Sequence, residues 1–75
     1  MAEEHRPHPP LVLVSDTAWG DMRVWIGPTL YEYWGLDAAL IQRVKWLIDR
    51  KAYRRARELL EGAAGKNYQV IEKKG

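Results

Sequence analysis

The chemistry this chain can offer is concentrated between positions 43 and 57. Seven cations (Arg43, Lys45, Arg50, Lys51, Arg54, Arg55 and Arg57) are set there against one anion, Asp49. The local balance is +6, so the remainder is net −4 although the formal total is only +2. On a helix, Arg50, Arg54 and Arg57 fall within about 60° of one another, with Lys51 and Arg55 at the edges. Such a face is either solvated or meets an anionic partner. Ordinary surfaces intersperse both signs, whereas here only Asp49 and Glu58 interrupt the cations. Trp46 lies in the same stretch, in the polar helical sector of Gln42, Arg43 and Arg50. An exposed Trp flanked by Arg has the composition of a protein-interface hot spot and equally of a base-stacking platform. Tyr31 and Tyr33 form a second set of rings. They stack on bases if their face of the sheet is open, and are core or cross-strand packing if it is not.

Other chemistry is thinly represented. Ser15-Asp16 has no histidine placed with it, and neither a G-x-G-x-x-G nor a P-loop pattern occurs. Asp16, Asp21 and Glu32 can approach one another at the hairpin ends as paired carboxylates, although a domain this small has little room for a desolvated pocket. His5 and His8 have a spacing that could supply two metal ligands, but there is no cysteine and no third histidine to complete a site, and Pro7 between them opposes a helix. The expectation is a binding module with no catalytic residues, no cofactor and no metal.

Seventy-five residues make one small domain, near the size at which a single core only just offsets the chain entropy lost on folding. The absence of cysteine removes any disulfide framework and places the chain in the cytoplasm. No uncharged run approaches the roughly 20 apolar residues of a membrane span, and the proline-broken start lacks the apolar core of a signal peptide. Four Trp and four Tyr with no Phe is a composition in which every ring carries a polar atom, which serves interfaces as readily as cores.

These residues need elements to position them, and the hydrophobic period supplies the outline. Residues 1–10, with three prolines, two acids and little to bury, read as a flexible tail. Leu11 to Ser15 is a run of β-formers ended by turn chemistry at Asp16-Thr17. Met22 to Ile26 alternates, with Met22, Val24 and Ile26 on one face and Arg23 and Trp25 on the other. Gly27-Pro28-Thr29 is a reversal, and Leu30 to Trp34 returns as a third strand. On it Tyr31 and Tyr33 oppose Leu30, Glu32 and Trp34, and alternation alone leaves both faces amphipathic.

After Gly35 the period changes to about 3.6. Asp37 is placed to cap a helix whose apolar stripe is Leu40, Ile41, Val44, Leu47 and Ile48. A second stripe, Ala52, Tyr53, Ala56, Leu59, Leu60 and Ala63, is rotated from the first by roughly 110° at 100° per residue. The phase change predicts two helices, or one kinked helix, broken near Asp49 to Lys51, with Asp49 as a second N-cap and Gly62 or Gly65 ending the second helix. Tyr68 to Ile71 has the composition of a short fourth strand or an ordered tail. The expected fold is therefore α+β: a three-stranded antiparallel meander followed by two helices. Residues 11–65 form the domain, and 66–75 a C-terminal tail or short strand.

Around Tyr31-Glu32-Tyr33 the chain resembles the KTSC domain, a small family named after the C-terminus of some lysyl-tRNA synthetases and marked by a central Tyr-x-Tyr. The alternation of Met22 to Ile26, the turn at Gly27, the run Trp34-Gly35-Leu36 and the apolar helix after it fit the same pattern over about Leu11 to Leu60. Asp37 and Ala52 stand where that family commonly has a proline and a glycine. The resemblance implies a small sheet-plus-helix domain with RNA-binding character and without catalytic residues.

Three readings follow. The first is a regulatory module of the phage type that docks on a larger protein of the transcription or translation machinery, anchored by Trp46 with Arg43 and Arg50. The second is direct binding of RNA or another single strand by Arg50, Arg54, Arg55 and Arg57, with Tyr31 or Tyr33 stacking. The third is homodimerisation through the same surface.

Overall fold

A computed structural model describes residues 8–74; the tail expected over residues 1–10 lies mostly outside them, as does His5. The order is β1 (Leu11–Asp16), β2 (Met22–Ile26), β3 (Thr29–Tyr33), α1 (Ala38–Asp49), α2 (Tyr53–Ala64) and β4 (Tyr68–Lys73). The four strands make one antiparallel sheet in the order β1-β2-β3-β4. This is the α+β meander read from the sequence, with the last segment paired as a full strand against β3.

Register decides which residues point where. Val24 lies opposite Leu13 and Tyr31, and Met22 opposite Asp16 and Tyr33. Because opposed residues share a face, Tyr31 and Tyr33 stand with Met22, Val24 and Ile26. That face receives the helices. α1 buries Ile41, Val44 and Leu47 against it, and α2 buries Ala56, Leu60 and Ala64. Together with Leu11, Tyr33 and Leu36 they form one continuous core. The opposite face carries Val12, Trp25 and Leu30 in one row and Arg23, Glu32 and Gln69 in another. No helix covers it.

The helix break is a C-terminal capping structure of α1. Lys51 N–H donates to Ile48 O and Ala52 N–H to Leu47 O, both at 2.9 Å, while Lys51 adopts φ 62°. That is the Schellman arrangement, with lysine at the left-handed position usually held by glycine. The predicted role of Asp49 as second N-cap is thereby corrected: Asp49 is the last residue of α1, and Ala52 caps α2 with no side-chain hydrogen bond. Asp37 does occupy the N-cap position of α1, but it contributes its backbone carbonyl to Ile41 N–H at 3.0 Å rather than its carboxylate. Gly65 ends α2.

Two connections fix the rest. In the β1–β2 turn, the Thr17 hydroxyl accepts from the backbone N–H of Trp19 and of Asp21, and Leu36 N–H donates to Gly20 O at 3.0 Å. Gly20 has φ 91°, and a Cβ there would stand 2.4 Å from Leu36 O. Glycine is required on both grounds. The second connection is a side-chain bridge across three strands: Arg23 Nε and Gln69 Nε2 donate to the two Glu32 carboxylate oxygens at 3.0 and 2.7 Å. These bonds, that from Gln69 first, hold the Glu32 carboxyl below its ordinary pKa.

Two outcomes follow from these connections. Gly20→Ala is expected to lower stability by about 1–3 kcal/mol, read from denaturant midpoints; an unchanged midpoint contradicts the close approach to Leu36. Glu32 binds its proton less readily folded than unfolded, so its contribution is present at and above the ordinary carboxylate range and is lost as pH falls through its depressed value. Glu32→Gln should therefore flatten the acid limb of the stability profile, and a profile parallel to wild type would show that the bridge does not form.

Candidate docking surface

The outward face of α1 follows from its inward one. With Ile41, Val44 and Leu47 buried, the side chains of Arg43, Trp46 and Arg50, spaced i, i+3 and i+7, share the solvent side. Trp46 is 47% exposed. Its ring is flanked by two guanidinium groups, Arg50 at 4.3 Å and Arg43 at 5.5 Å from the centroid. Cation–π contacts at such an exposed site contribute about 0.5–1 kcal/mol each. Their larger consequence is order: a bulky ring and two long side chains are held together before any partner arrives.

Past the break, Lys51, Arg54 and Arg55 are exposed and line an open cleft with His8, Ala52, Tyr53 and Glu58. Among the described residues Arg43, Arg50, Lys51, Arg54 and Arg55 form no ion pair. The cations of α1 and those of the cleft join at consecutive positions, Arg50 and Lys51.

The other two cations of the stretch are committed elsewhere. Lys45 Nζ lies 3.1 Å from Asp16 Oδ2 and ties α1 to β1. Arg57 Nε donates to Glu61 Oε2 at 3.0 Å, a bond that raises the guanidinium pKa further. The structure thus parts Arg57 from the exposed cations. It lines a separate cleft with Tyr31, Glu61, Gly65 and Tyr68, between α2 and the β3–β4 side of the sheet. The angle that groups Arg57 with Arg50 assumes one continuous helix, and the Schellman turn ends that continuity.

Tyr31 and Tyr33 belong to the helix-covered face. Tyr33 is 1% exposed, so its ring is closed to any stacking base, and Tyr31 is half-buried. Tyr68, arriving on β4, completes a cluster with both, the ring centroids lying 5.8–6.1 Å apart. Tyr68 opens the segment read from the sequence as a short fourth strand or ordered tail, but its place beside Tyr31 and Tyr33 depends on pairing with β3 across both helices and is not legible locally. The Tyr33 hydroxyl is buried without a hydrogen-bond partner among the described residues. Burial, and next the negative charge of Glu61, push the phenol pKa far above its ordinary value, so the group stays neutral at every physiological pH.

The carboxylates do not converge. Asp16 faces the helices and Lys45, whereas Glu32 faces the open side with Arg23 and Gln69. Among the described residues no three His, Cys, Asp or Glu side chains are grouped as metal ligands, and no helix is long and apolar enough to cross a membrane. The most exposed large apolar side chain is Trp19, 86% exposed at the tip of the β1–β2 turn, a position readable from the sequence only as a turn.

No family model, no curated protein and no solved structure matches the chain.

An orphaned hydroxyl in a core costs its lost hydration and gives nothing in return. Tyr33→Phe is accordingly expected to leave the fold intact and to hold or raise its stability by up to about 1 kcal/mol. A clear fall in the melting midpoint would mean that the hydroxyl has a partner in solution.

Proposed function

We propose that this chain is a non-enzymatic docking module that presents Trp46, framed by Arg43 and Arg50, to an acidic surface on a larger protein. The single observation that carries the reading is the half-exposed indole held between two guanidinium groups on the outer face of α1. Trp and Arg supply most hot-spot energy in protein interfaces, where a large apolar ring is desolvated while charge fixes its register. Pre-ordering lowers the entropy lost on binding.

The same contacts weigh against single-stranded nucleic acid. A base stacking where Arg50 lies over Trp46 would have to displace its guanidinium, and of the two tyrosines offered as platforms Tyr33 is enclosed and Tyr31 half-buried. The partner we have in view is a cytoplasmic protein of the transcription or translation machinery; the resemblance to the KTSC domain, which implies RNA-binding character, speaks for the nucleic-acid alternative that the nuclease arm below tests. Homodimerisation would have to bring like-charged surfaces together, which is costly.

The test is affinity capture from a cell lysate with the wild-type chain and Trp46→Ala side by side, each with and without nuclease. Trp46→Ala should keep the wild-type circular dichroism and a single cooperative melting transition, with a midpoint lowered only by the loss of the two cation–π contacts, because the ring lies outside the core. It should lose a protein partner that wild type retains after nuclease treatment. Retention unchanged by the substitution, or abolished by nuclease, would refute the reading.

A further inference from the structure

Past α1, the turn between the helices, the first turn of α2 and His8 line an open cleft of about 660 Å³, within the range of sites that accept a side chain or small ligand. Its composition is divided. Ala52 and Tyr53, both half-buried, supply an apolar wall, and Lys51, Arg54 and Arg55 supply cations with Glu58 as the lone acid against them. Long cationic side chains lay their methylene stems along apolar surface while the heads stay wet, so one groove offers both hydrophobic contact and charge. None of the three cations is in an ion pair among the described residues.

We propose that this cleft binds a short peptide segment in which one apolar side chain is flanked by carboxylates. The proposal rests on the docking reading above and names the part of the partner that continues past Trp46. Charge complementarity selects the occupant: the apolar anchor sits against Ala52 and Tyr53, and acids on either side of it meet Lys51 and the Arg54–Arg55 pair. A plain polyanion satisfies the cations and leaves the apolar wall wet. A plain apolar segment leaves three cations without partners.

The probe is a labelled peptide with a leucine between glutamates, titrated with the full chain and followed by fluorescence anisotropy. Three controls accompany it: the peptide with serine for leucine, the peptide with glutamines for glutamates, and a single-stranded oligonucleotide of equal charge. The parent peptide should bind, and each peptide control should bind about tenfold more weakly or worse. Arg54→Glu with Arg55→Glu should weaken the parent peptide by at least the same factor without lowering the melting midpoint, since both side chains are exposed and acids in the first turn of α2 suit the helix dipole. No binding of the parent peptide, equal binding of the serine control, or tighter binding of the oligonucleotide overturns the proposal. So does unchanged affinity in the double variant. The docking reading fails separately: if Trp46→Ala still captures the partner, that reading falls. If capture is lost in Trp46→Ala and untouched by the double variant, the module docks without using the cleft.

Discussion

The burial of Met22, Val24 and Ile26 on one side of β2, each at most 4% exposed, is the constraint from which the rest follows. A strand flanked on both sides transmits its facing to both neighbours, because antiparallel partners directly opposite must share a face. Tyr31 and Tyr33 are thereby committed to the interior, and Glu32 to the outside. A slip of one residue between β2 and β3 would exchange these roles, turning two tyrosines to solvent and placing a carboxylate under the helices. With the tyrosines inside, the surface proposed for docking is the back of α1 and the turn that follows it.

That turn shows a conflict between local and tertiary preference. The first turn of α2 contains two arginines and no acid, although a helix N-terminus carries the positive end of the dipole and favours anions. Lys51 holds a left-handed conformation that glycine would adopt with less strain. Both choices cost stability locally, and the packing of Ala56, Leu60 and Ala64 on the sheet overrides them. Chains that hold locally unfavourable choices against the fold do so most often at functional sites.

Much of this arrangement is legible in the residues. The alternation of Met22 to Ile26, the reversal at Gly27-Pro28 and the change of helical phase near position 50 each appear where the structure has them, because each is a local pattern with a local cause. What escapes is what depends on distant pairing. The facing of Tyr31 and Tyr33 is ambiguous from their own strand, since both of its sides are amphipathic. β4 is announced only by the composition of Tyr68 to Ile71: all six of its residues are exposed, so no buried stripe fixes its pairing. Its existence rests on β3, which lies beyond two helices in the chain. The position of Arg57 fails for another reason: the phase change announces a break near position 50, but the direction α2 takes after it is set by a lysine in a glycine's conformation, which nothing in its side chain announces.

The register irregularities at the two outer strands have a consequence of their own. Val14 is the extra residue in β1 and Ile71 in β4, and each strand leaves apolar side chains half-exposed, Val12 and Val14 on one, Tyr68, Val70 and Ile71 on the other. Flat strands of that composition at both margins of a sheet would recruit further strands from neighbouring molecules without limit. A single unpaired residue kinks each ladder and increases its twist, and Lys66, Lys73 and Lys74 bracket the second margin with like charge. Two added residues and three lysines thus oppose endless edge-to-edge growth, so that the sheet stays at four strands with no helix or loop among the described residues laid along either margin to stop it.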